Sequence, residues 1–91
     1  MLIRSQDKTI LLNFSNSTVV YIAKNDKDFV ISSLENENRY KLGKYSSEAK
    51  AMKVLNMIQE AYCKFMSVKN DDAWDGKESV FYMPEDSEVE S

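Results

Sequence analysis

Leu42 to Phe65 reads L-G-K-Y-S-S-E-A-K-A-M-K-V-L-N-M-I-Q-E-A-Y-C-K-F, and its spacing decides the fold. The apolar residues Ala51, Val54, Leu55, Ile58, Ala61, Tyr62 and Phe65 recur every three or four positions, with near neighbours filling in. That is the stripe of an amphipathic helix, not the alternation of a strand. Lys50, Lys53, Gln59, Glu60 and Lys64 fall on the other side. Ser46 is the expected N-cap, its hydroxyl accepting from a backbone N–H one turn on. Glu48 in the first turn meets the positive end of the helix dipole. Gly43 breaks the preceding strand where bending meets little steric resistance. The stretch predicts a long core helix resting on something flat. Met52, Met57, Cys63 and Met66 widen its apolar surface, either as extra core or as a second contact, since Met adapts to irregular surfaces.

Upstream, short apolar runs alternate with polar links. Leu2 to Ser5, Thr9 to Phe14, Thr18 to Ala23, Phe29 to Leu34 and Arg39 to Tyr45 read as strands. Asn25-Asp26-Lys27-Asp28 and Glu35-Asn36-Glu37-Asn38 read as turns. Consecutive strands with short links pair most simply as antiparallel neighbours. Downstream, Ser79 to Met83 is a last short strand that Pro84 ends, because proline cannot donate to a ladder. The expected class is α+β: an antiparallel meander of about five strands packed on one long helix in the C-terminal half, then a short final strand. Residues 1–84 form a single domain on this reading. Residues 85–91, with four acids among seven, form an acidic, mobile tail.

Both faces of the third and fourth strands are apolar. Val19, Tyr21 and Ala23 oppose Val20 and Ile22, and Val30 and Leu34 oppose Phe29 and Ile31. One helix covers one face of a sheet, and a water-facing antiparallel sheet normally shows polar residues on the other. A second copy or the C-terminal segment is expected to cover the free face; the alternative is a curved sheet that covers itself. A homo-oligomer is the expectation.

Composition narrows the function. Hydrophobic residues at 43% and charged residues at 30% describe a folded globular chain. Residues 1–45 hold seven Lys/Arg against five Asp/Glu, and residues 46–91 hold five Lys against ten acids. An acidic chain with no basic cluster is a poor match for duplex nucleic acid. No signal peptide and no membrane-length apolar run is present, and Cys63 is expected to be a buried free thiol; a cytoplasmic location is the expectation.

The chain has no histidine, which removes Ser-His and Cys-His nucleophile pairs. With one cysteine it cannot build a Cys/His zinc site alone. Asp71, Asp72, Asp75 and Glu78 cluster, but an EF-hand counted from Asp71 places Ala73 and Tyr82 at positions three and twelve. No cofactor and no metal is expected, and no enzymatic activity. Trp74, inside that acidic loop, either caps the core edge or contacts a partner. Arg39 and Tyr40 stand near Lys44 and Tyr45, and a planar cation beside aromatics can hold a phosphate and stack a base. With Arg4 and Phe81 they make the expected ligand-binding set. The plainer alternative is strand-edge charge that discourages sheet pairing.

Two patches, Leu42 to Tyr62 and V-F-Y-M-P-E-D at Val80 to Asp86, resemble a group of small, largely uncharacterised proteins of phages and prophages from low-GC Gram-positive bacteria. The resemblance implies a β-meander plus helix, a cytoplasmic accessory protein and no catalysis. Small phage proteins of this kind often counter host defences. Anti-Thoeris sponge proteins, similar in size class, sequester cyclic nucleotide signals in oligomeric pockets. The function expected from these readings is a non-enzymatic accessory protein that binds a small nucleotide. The alternatives are an inhibitor that occludes a host protein through Trp74 and the acidic tail, or a structural scaffold component.

Overall fold

The computed structural model describes residues 1–14, 18–68 and 80–90. Trp74 and the Asp71 to Glu78 cluster lie outside them. The elements run β1 (Leu2–Arg4), β2 (Leu11–Asn13), β3 (Val19–Asn25), β4 (Asp28–Glu35), β5 (Asn38–Tyr45), α1 (Glu48–Val68) and β6 (Val80–Tyr82), then a 3-10 turn at Asp86–Glu88. The class is α+β as expected. The five leading strands, however, divide between two sheets, ordered β2-β1-β6 and β3-β4-β5. β6 returns after the helix to pair parallel with β1, Ile3 opposite Phe81.

Gln6 joins the two sheets. Its N–H donates to the Leu42 carbonyl at 2.7 Å. Its side-chain Oε1 accepts from the Lys44 N–H at 3.0 Å, and its Nε2 donates to the carbonyls of Lys44 and Pro84, each at 3.2 Å. One side chain thus satisfies backbone groups from β5 and from the chain leaving β6.

Two-residue loops fix the register of β3-β4-β5. Asn25 pairs with Asp28 around the first and Glu35 with Asn38 around the second. Asn36 and Glu37 both have positive φ, 50° and 70°. That is the signature of a type I′ turn, whose twist matches the strands it joins. A register shift between Ile31 and Ser32 leaves Leu42 as an extra residue on β5. A Cβ on Gly43 would lie 3.1 Å from the Tyr45 ring and 3.2 Å from the Met83 methyl, so this position needs glycine for close approach.

The helix begins one residue later than its sequence indicates. Ser47, not Ser46, caps it: the Ser47 hydroxyl accepts from the Lys50 N–H at 3.2 Å and its carbonyl from the Ala51 N–H. Ser46 has another partner. Its N–H donates to the Asp86 carboxylate at 2.8 Å and its hydroxyl to the same oxygen at 3.2 Å, while Lys50 Nζ lies 3.5 Å from the other oxygen.

α1 packs on one face of β3-β4-β5, burying Ala51, Val54 and Ile58. Met1, Ile3 and Leu12 from the first sheet and Ile31, Leu42 and Tyr45 from the second join the same core. Met83 and Val89 complete it. Residues 85–89 therefore differ from the expected mobile tail: Val89 is only 7% exposed, and Asp86 bonds to the helix start. The acids masked an apolar anchor, Val89, and a carboxylate placed where a helix N-terminus attracts negative charge. Cys63 is exposed, not buried, because it lies off the centre of the helix stripe.

Candidate functional site

Cross-strand partners share a face of a sheet. The register of β3-β4-β5 puts Tyr21, Ser32 and Lys41 in one row, Ala23, Val30 and Lys44 in the next, and Val19, Leu34 and Arg39 in a third. These rows form the face opposite the helix, called the outer face below. At its centre lies a groove of about 320 Å³ lined by Tyr21, Ala23, Asn25, Val30, Ser32, Arg39 and Lys41. Its floor is apolar, with Val30 buried, and its β5 wall is cationic. Among the described residues no hydrogen bond or ion pair reaches the side chain of Arg39 or Lys41. Lys44 is engaged with Asp28 at 3.8 Å in an exposed contact. Solvated pairs of that kind contribute little.

A second groove, of about 410 Å³, adjoins the first and shares Lys41 with it. Gln6, Asp7, Ile10 and Leu42 to Lys44 line the rest. The Asp7 carboxyl is held down at about 2, first by the Thr9 hydroxyl, then by the Thr9 N–H and the Ser5 hydroxyl. Asp7 therefore stays negative and repels an anion, so the groups that favour a negative ligand sit at the Arg39 and Lys41 end.

The six residues expected to bind ligand do not converge. Arg39 and Lys44 share the outer face. Tyr40 lies on the helix side and packs against the core. Tyr45 is fully buried, its hydroxyl donating to the Pro84 carbonyl at 2.7 Å. Burial, followed by the charges of Glu85, Asp86 and Glu88, pushes that hydroxyl's pKa well above its ordinary value. A side chain so placed is a core residue and presents no surface to a ligand. Phe81, opposite Ile3, also packs on the core. Arg4 belongs to the other sheet, where its Nε donates to the Lys8 carbonyl at 2.9 Å.

Sequence reading missed Tyr21 and Lys41. Adjacent residues on a strand face opposite ways, so grouping Arg39 with Tyr40 mixed two faces. Comparison with known proteins finds no family model, no curated protein and no solved structure that matches the chain. What the site can do rests on its own chemistry. The Tyr21 ring offers a stacking surface, Arg39 a planar fork of donors and Lys41 a compact positive charge. Among the described residues no group of three or more His, Cys, Asp or Glu is placed to hold a metal ion.

Proposed function

We propose that this chain is a non-enzymatic accessory protein of phage type that binds a nucleotide on its outer sheet face and removes it from circulation, countering a host defence signal. The observation carrying the reading is the pair of unengaged cations, Arg39 and Lys41, beside Tyr21 over an apolar floor. A phosphate would take charge-assisted hydrogen bonds from Arg39 and Lys41. A base would lie against Tyr21, a contact that accepts any base because each has a π-face. The row spacing supports one ligand reaching both: Tyr21 and Lys41 are two strands apart, about 10 Å at the backbone.

Isothermal titration calorimetry with a panel of cyclic mononucleotides and dinucleotides tests this. Arg39→Ala and Lys41→Ala should each weaken binding by about tenfold or more, the usual effect of losing a charged hydrogen bond worth ~1.5–3 kcal/mol. Tyr45→Phe should leave affinity unchanged, since that ring is in the core. Failure of every nucleotide in the panel to bind at millimolar concentration would refute the reading.

A further inference from the structure

We infer that a second copy of this chain docks on one flank of α1, in an antiparallel helix pair whose two-fold axis passes at Gln59. The two flanks of the helix differ. Met52, Leu55, Gln59, Cys63 and Met66 follow one another at intervals of three, four, four and three, and so line one flank. From Met52 to Met66 that run carries no charge; Glu48, one turn before Met52, continues the flank at its N-terminal end. The flank across the buried stripe instead carries Lys50, Lys53 and Lys64 around one exposed apolar residue, Met57. A solvated helix has no physical need to sort its charges this way.

The uncharged flank is open. Met52 is 44% exposed and Met66 41%, and Cys63 is exposed. It borders an apolar groove of about 310 Å³ lined by Phe14, Val20, Leu55, Ile58, Gln59, Tyr62 and Cys63. The occupant that matches this groove is apolar, which disfavours nucleic acid and acidic peptides.

The spacing identifies the occupant. Three, four, four, three reads the same in both directions about Gln59. Laid antiparallel on itself, the flank sets Met52 against Met66, Leu55 against Cys63 and Gln59 against Gln59. Every apolar group meets an apolar group, and the one amide meets an amide that can both donate and accept. A two-fold interface requires that self-complementarity. The size sets the strength. Met52 to Met66 spans about 21 Å, and one helix diameter plus the neighbouring strand is about 16 Å wide. The footprint puts the total buried area below ~1,200 Å², the class of weak, reversible associations. A micromolar dissociation constant is the expectation.

The test combines cross-linking and sedimentation. Gln59→Cys in a Cys63→Ser background places a thiol on the axis in each copy, and mild oxidation should link it into a dimer. Lys53→Cys in the same background, on the other flank, should stay unlinked. Sedimentation equilibrium from ~10 to ~500 µM, bracketing the expected constant, should show the natural chain dimerising and Met52→Lys dimerising at least tenfold more weakly. Met52 and Gln59 are both exposed, so the folded monomer tolerates these changes, and circular dichroism verifies the helix. A natural chain that stays monomeric at the highest concentration overturns the proposal. So does equal cross-linking at residues 53 and 59, or a dimer indifferent to Met52→Lys.

Discussion

Val89 gives the sharpest test of how the C-terminal segment contributes. Replacing it with alanine removes two methyl-sized groups from a side chain only 7% exposed. At ~0.8 kcal/mol for each group, nearly the full transfer value applies, about 1.5 kcal/mol. Incomplete collapse of the space left behind raises the cost towards ~2 kcal/mol. In a domain of this size that lowers the melting temperature by roughly 6–15 °C. Urea denaturation followed by circular dichroism measures it directly, with Val19→Ala as a control because Val19 is 53% exposed. The control should move stability by under half as much. A chain ending at Pro84 loses Val89 together with the Asp86 contacts to Ser46 and Lys50, so it should be less stable than Val89→Ala. If Val89→Ala costs less than ~0.3 kcal/mol, well below the transfer value, the segment is not part of the core and the packing described above is wrong.

Ser33 is fully buried and among the described residues its hydroxyl has no hydrogen-bond partner, so Ser33→Ala should raise stability by about 1 kcal/mol in the same assay. Glu37 holds φ at 70° in the second position of its turn, and Glu37→Gly should add roughly 0.5–1 kcal/mol by relieving that conformation. Gly43→Ala should lower the melting temperature, because the added methyl meets a Tyr45 ring anchored through Pro84. The acid limb of stability has a defined sign. Asp7 is held down at about 2, and Asp86 is lowered chiefly by the Ser46 N–H, so both bind protons less readily folded than unfolded. Their contribution is complete above the unfolded value of about 4 and is lost as pH falls from there towards 2. Asp7→Asn should flatten that part of a pH titration of the urea midpoint, and an unchanged slope would contradict the assignment.

The helix and strands were readable because each announces itself locally. The Ala51 to Phe65 stripe has one period, the strands another, and polar pairs mark the hairpins. Division into two sheets was not readable, since the parallel match of Ile3 with Phe81 joins residues far apart in sequence and leaves no local pattern. The role of Asp86 was hidden for the same reason: its value depends on Ser46, forty positions earlier. Part of the outer-face site was within reach. Two-residue loops at Asp26-Lys27 and Asn36-Glu37 fix which residues stand opposite one another, and counting outward from them aligns Tyr21, Ser32 and Lys41. What counting cannot supply is that Tyr45 would spend its hydroxyl on Pro84.

The pairing of β1 with β6 bears on how the chain is made. During synthesis Leu2 to Arg4 emerge early, yet one side of that strand finds its partner only when Val80 to Tyr82 have followed. The hairpins β3-β4 and β4-β5 can form as they leave the ribosome, since their contacts are local. The shared core cannot close until Met83 and Val89 are free to join it. Translation that paused before Val80 would therefore leave one edge of β1 unpaired and the shared core without Met83 and Val89.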